Sequence, residues 1–271
     1  MCRLAAAIAA ALLAMLALCG CKATVSAGSG APTPAASALT PQTSAAPAIS
    51  AASAAAAATP SPSLTIPGTH KSVRTFQVSS PVSALVVATH IGDVTITGST
   101  GATVSVTEQI AYSSTPPVIT RSVTGGTLSI GDGCSLQLAC GVAYIIAVPS
   151  TVTVTATTDT GAIRLSGLAG ARVTAKVDVG FIDATGLSVA AASLTTDVGG
   201  ITATFTTAPR TVTAITKAGA ITLHVPTTTS YQITASAVAG KTTISVPQRT
   251  GSASTITATT DIGAIQIAPA S

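Results

Sequence analysis

An all-β solenoid of stacked coils, each of about 20 residues, is the fold class that the sequence predicts, on three observations. Short Val, Ile and Thr runs alternate with a period of two, as over 152–156 and 173–177, which is the pattern of a half-buried strand. Glycines punctuate these runs at a nearly fixed interval: Gly161, Gly180, Gly199, Gly219, Gly240 and Gly263 are spaced 19, 19, 20, 21 and 23 apart. Side chains are small throughout, since 271 residues weigh only 26.1 kDa, with aromatics at 2% and no Trp. One such unit buries too little apolar area to fold alone, whereas stacking makes a continuous core.

The chain begins with Met1-Cys2-Arg3 and an uncharged apolar run over 4–18. That run is short for a membrane span and suits the hydrophobic region of a signal peptide. It ends in Leu18-Cys19-Gly20-Cys21, which resembles a bacterial lipobox. Leu18 and Gly20 fit the −3 and −1 positions for Cys21, whereas Cys19 would be preceded by the bulky Leu18. The resemblance implies a lipoprotein signal peptide over 1–20 and lipidation of Cys21; the alternative is an ordinary secretory signal cut further on. Residues 21–63 are Ala, Ser, Thr, Gly and Pro, uncharged after Lys22, and read as a disordered tether with a reach of roughly 35 Å. The repeat domain follows over 64–271.

Its unit is strand, x-Gly turn, strand and return. The strings TTDTGAIRLSG, KVDVGFIDATG, TTDVGGITATF, ITKAGAITLHV, SAVAGKTTISV and TTDIGAIQIAP succeed one another from residue 157, with weaker upstream copies around Gly92 and Gly126. Alternation puts Val173, Ala175 and Val177 on the inner face and Thr174, Lys176 and Asp178 outside, with Ile182 and Ala184 returning inward after the turn. Glycine suits a turn because positive φ costs it nothing, and the Asp before it can accept a backbone N–H bond.

The recurring Asp-x-Gly-x-Ile pattern stands at Asp159–Ile163, Asp178–Ile182, Asp197–Ile201 and Asp261–Ile265. In it the chain resembles the bacterial putative-adhesin, or β-strand-repeat, domains of unknown function over about residues 75–269. That resemblance implies a right-handed, β-helix-like solenoid on an envelope protein, with no established chemistry. Lys217 and Val238 depart from the Asp position.

Composition narrows the function classes. Charged residues are 7% and the net charge is +4, too weak a field to steer nucleic acid. Eight carboxylates and three histidines are a thin stock for proton transfer, and neither a cofactor nor a catalytic residue is expected. Four of the eight acids share one repeat position. Stacked in register, Asp159, Asp178 and Asp197 form a column about 5 Å apart, with Lys217 closing it. These read as solvated turn caps; a calcium site is the sharper alternative. His70, His90 and His224 lack metal spacing. In an exported protein, Cys134 and Cys140 remain as an even pair, and a disulfide clamping a hairpin or excursion is expected.

These features predict a non-catalytic surface, adhesion or interaction module, held by its lipid to the outer face of the cell membrane. Expected partners are the membrane, a cell-wall polymer or an envelope protein. Two competing readings are a carbohydrate-active β-helix enzyme, using acids near Arg164, Arg172 and Asp183, and a purely structural spacer. A clustered acid–Arg group points to the enzyme, an exposed apolar patch to the binding module, and a Thr/Ser-covered surface to the spacer.

Overall fold

Each repeat string folds as a two-strand coil, because a period-two apolar run is interrupted by a glycine that passes the chain from one sheet to the other. The computed structural model describes residues 70–134 and 139–270, and their strands lie within one compact unit, 58–271. The coils are β8 (Thr153–Thr160) with β9 (Ile163–Ser166), β10 (Arg172–Val179) with β11 (Ile182–Leu187), and β12 (Ala191–Val198) with β13 (Ile201–Phe205). They continue with β14 (Thr211–Ala218) and β15 (Ile221–Val225), β16 (Gln232–Ala239) and β17 (Thr242–Ile244), and β18 (Thr255–Ile262) and β19 (Ile265–Pro269). Upstream, β2 (Ala84–Ile91) and β3 (Val94–Ser99) form the coil announced by Gly92, and β6 (Thr127–Asp132) and β7 (Cys140–Pro149) form another. Three strands, β1 (His70–Val78), β4 (Val104–Tyr112) and β5 (Ile119–Thr124), pair antiparallel to their neighbours.

Two sheets result. One runs β1-β4-β7-β3-β9-β11-β13-β15-β19-β17 and the other β16-β18-β14-β12-β10-β8-β2-β6-β5. Between neighbouring coils the pairing is parallel, for example Val173 with Val154 and with Ala192. The inner faces meet as the alternation predicts: Val173, Ala175, Val177, Ile182 and Ala184 are buried together with their equivalents in the other coils. The solenoid architecture read from the sequence is therefore present.

Coil order in space departs from chain order at both ends. The chain passes from β15 to the outermost coil β16/β17 and returns to insert β18/β19 between that coil and β14/β15. At the other end β2/β3 lies between β6/β7 and β8/β9. The exchanged C-terminal coils differ mainly in their second strand. β16 and β18 match at Ile233/Ile256 and Ala235/Ala258, but Thr260 stands where β16 has Ala237, and β19 offers Ile265 where the three-residue β17 has Thr242. Gly126 also differs from its sequence reading. With Gly125 it forms the two-residue turn of the β5–β6 hairpin, both at positive φ, the requirement of a type I′ turn.

Candidate functional site

The glycine-turn edge is the most repetitive surface of the molecule. Gly92, Gly161, Gly180, Gly199, Gly219, Gly263 and Gly240 stack there in that spatial order, with φ between 136° and 158°. Their role goes beyond conformational freedom, because a Cβ on any of them would drive into the backbone of the next coil, at a glycine carbonyl in every case but Gly92, which abuts Val142. The same carbonyls receive a second contact that sequence reading missed. Buried Thr158, Thr216 and Thr260 donate their hydroxyls to the Gly92, Gly199 and Gly219 oxygens at 3.0 Å, and Thr196 donates to Gly180 at 3.4 Å. A Thr three residues before each ladder glycine was the available signal; Val177 and Ala237 interrupt it.

Outside this ladder stand two rows. Register places His90, Asp159, Asp178, Asp197, Lys217, Asp261 and Val238 side by side. Two corrections follow. Lys217 does not close the acidic column but sits between Asp197 and Asp261, because the coil of Asp261 is inserted before that of Val238. Nor do Asp178 and Asp197 cap their turns. The strand continues through them, so their carboxylates project outward and pair with Lys176 at 2.9 Å and Lys217 at 2.7 Å. The bond to Asp178, with Asp197 and Asp159 nearby, holds the exposed Lys176 ammonium above its ordinary range. An aspartate capping its own turn occurs instead at Asp132, which accepts the Cys134 amide. Among the described residues no three carboxylate, imidazole or thiol groups converge as a cation site.

The second row is apolar. Residues preceding the ladder glycines point into solvent, with Val179 51%, Val198 52% and Ile262 65% exposed, and Phe181, on the far side of its glycine, 42% exposed. Arg164 reaches across to stack on the Phe181 ring at 4.8 Å while bonding Asp93 at 2.9 Å. Asp93 in turn accepts the Ala162 amide at 2.9 Å, so it staples two coils. Asp183 is the cross-strand partner of Arg164, but Arg172 begins β10 in the other sheet and does not join them. His70 stacks on Tyr112 at one end, and His224 lies near the Pro269 carbonyl, so the histidines are dispersed.

A second charged cluster, invisible to the repeat pattern, is built between the sheets at the β1/β5 end. Glu108 of β4 is fully buried opposite Tyr144 of β7, and Arg121 crosses from β5 to grip both its carboxylate oxygens. Its bond to Glu108 raises the Arg121 pKa despite partial burial, and the guanidinium lies over Phe76 at 5.1 Å. Tyr144 donates to Asp132 at 3.5 Å; burial foremost, then the nearby carboxylates, pushes its hydroxyl well above the ordinary tyrosine range. Beside this group Cys134 and Cys140 form a disulfide. It joins the end of β6 in one sheet to the start of β7 in the other, so it clamps a crossing between sheets rather than a hairpin. Cys21, the signal sequence and the tether lie outside the described residues.

Residues 145–268 match the Toastrack family, DUF4097. The resemblance to putative-adhesin domains of unknown function thus stands, and the Toastrack match begins within β7 and covers the regular coils. Strands β1–β6 precede it. Among solved structures the chain is similar to a putative cell adhesion protein from Clostridium sporogenes, 13% identical over 74% of this chain and 99% of that one, TM-score 0.45. A putative adhesin from Bacteroides fragilis is 15% identical over 72% and 97%, TM-score 0.46. A putative lipid binding protein from Parabacteroides distasonis is 11% identical over 73% and 97%, TM-score 0.32. No curated protein matches the chain.

Proposed function

We propose that this chain is an exported lipoprotein, anchored through Cys21 to the outer face of the bacterial cell membrane, whose Toastrack solenoid is a non-catalytic adhesion or interaction domain. The observation that carries this reading is the set of exposed apolar side chains Val179, Phe181, Val198 and Ile262 along one charge-flanked edge. Scattered apolar side chains are ordinary on a protein surface, but a row aligned along one ridge is a contact surface. Acid–Arg groups, the feature that points to an enzyme, are present, but two of them are used in holding strands and coils together. Glu108 is enclosed between the sheets and Asp93 spends both oxygens on a neighbouring coil, so neither is free to move a proton.

Two experiments test the proposal. Cys21→Ser should shift the protein from the membrane to the soluble fraction; unchanged partitioning would remove the anchor. Immobilised residues 58–271 should retain an envelope polymer or protein that the V179S/F181S/V198S variant releases. A second reading, the structural spacer, is supported by Thr155, Thr174, Ser193, Thr213, Thr257 and Thr234, which align across the outer face of the β16-to-β5 sheet. Retention by neither protein would favour the spacer, and equal retention by both would move the binding surface away from this edge.

A further inference from the structure

The two ends of the stack are finished differently. At one end β1 and β5 are antiparallel strands, and His70, Lys71, Arg74 and Arg121 stand on them. Cationic side chains on an outer strand are a common defence against edge-to-edge pairing. At the other end β16, Gln-Ile-Thr-Ala-Ser-Ala-Val-Ala, has no charge and no proline over eight residues, and no described strand pairs with its far side over that length; just before it, Tyr231 bridges Gln248 of the returning chain. Interior coils bury their inward residues completely, as with Val173, Ala175 and Val177, whereas Ile233, Ala235, Ala237 and Ile244 at the β16/β17 end are only half-buried against the core. Val238 on the same strand is the most exposed large apolar residue of the described surface, at 79%.

We propose that a second copy of this chain docks on the β16/β17 end, with the two β16 strands pairing antiparallel about a two-fold axis. An axis normal to the sheets keeps each sheet on its own side, so β17 meets its counterpart as β16 does and both sheets continue through the dimer. The half-open core residues are then covered by their own equivalents. This contact continues the interface already repeated inside the chain, in which β16 pairs along its length with β18 and β17 with β19. A head-to-tail arrangement would instead set β16 against the cationic β5 end and grow into an open fibre. Self-pairing joins edges that carry no charge within β16 or β17, and closes.

Analytical ultracentrifugation of residues 58–271, a compact unit, over a concentration series tests the proposal, with hydrogen exchange read at the low and high extremes. A monomer–dimer equilibrium is expected, with amides of 232–239 gaining protection only as the dimer forms. Thr234 and Ser236 are exposed on the outer face of β16, so T234K/S236K keeps the fold while placing like charges across the two-fold. It should weaken dimerisation about tenfold, and T243K on β17 provides the same test in the other sheet. A monomer at every concentration overturns the proposal, as does a dimer indifferent to both variants. Protection of 232–239 at all concentrations would assign that edge to another segment of this chain, and protection at 119–124 to head-to-tail growth; either result overturns the two-fold dimer.

Discussion

Replacing Gly199 with Ala tests whether the glycine ladder is a steric necessity of stacking. Gly199 holds φ at 136°, and a Cβ there would lie 2.6 Å from the Gly180 carbonyl carbon and nearer still to its oxygen. Holding a non-glycine residue at such a φ costs about 1–3 kcal/mol. Relieving the overlap requires the two coils to part, which strains the Gly180 N–H bond to Val198 and the Ile182 N–H bond to Gly200, at 2.9 and 3.0 Å. Each contributes about 1 kcal/mol net. The expected loss is therefore about 3–5 kcal/mol, a large part of the ~5–15 kcal/mol that holds an ordinary domain. Gly200→Ala is the internal control. Its Cβ would meet only the Ala220 carbonyl at 3.4 Å, and Ala162, Ala220 and Ala264 occupy the equivalent position in other coils. It should be neutral or stabilising by up to about 1 kcal/mol, since Ala restricts the unfolded chain. Urea titration followed by circular dichroism measures both. A G199A loss below about 1 kcal/mol, or equal losses for the two variants, would refute the stacking argument.

Val177→Thr, which restores a hydroxyl aimed at the Gly161 carbonyl, should leave urea stability unchanged or raised by up to about 1 kcal/mol, whereas Thr216→Val should lower it by about 1 kcal/mol. Arg121→Met strands the buried Glu108 carboxylate; a drop of about 3 kcal/mol is expected in the same titration, and a drop under about 1 kcal/mol would contradict the burial of that charge. Reducing Cys134–Cys140 opens a short loop, so dithiothreitol should cost about 2 kcal/mol while far-ultraviolet dichroism keeps its strand signature. Because Tyr144 and Tyr231 have hydroxyls raised by burial, the folded state retains protons that the unfolded chain releases above about pH 10. Stability is thus complete below that pH and falls as pH rises beyond it, and Tyr144→Phe should make that fall shallower.

What was legible in the sequence was whatever repeats. Asp-x-Gly-x-Ile marks the coil turns, and period-two alternation assigned Val173, Ala175, Val177, Ile182 and Ala184 to the core without error. Pairing order was not legible, because β16 and β18 carry nearly the same pattern: Ile233 and Ala235 match Ile256 and Ala258, and the coils differ inside at Thr260 against Ala237 and Ile265 against Thr242. The Glu108–Arg121 pair joins strands that belong to no repeat, across both sheets, so no local spacing announces it. Asp178 and Asp197 were misread as caps because the turn motif suits an Asx bond, yet Lys176 and Lys217 stand closer on the outer face. The Thr ladder was present in the sequence, but abundant Thr on the outer faces hid it.

A simple solenoid can fray one coil at a time from either end, each loss affecting only the next neighbour. The exchanged coils constrain that here. Removing β18/β19 leaves β16/β17 with nothing to lie on, and removing β2/β3 cuts β6/β7 off from the stack. The outermost coil β16/β17 is instead held through both of its chain connections, to β15 on one side and to the inserted β18 on the other, and the last strand of the chain, β19, lies inside the stack. Such a molecule resists unzipping from its ends.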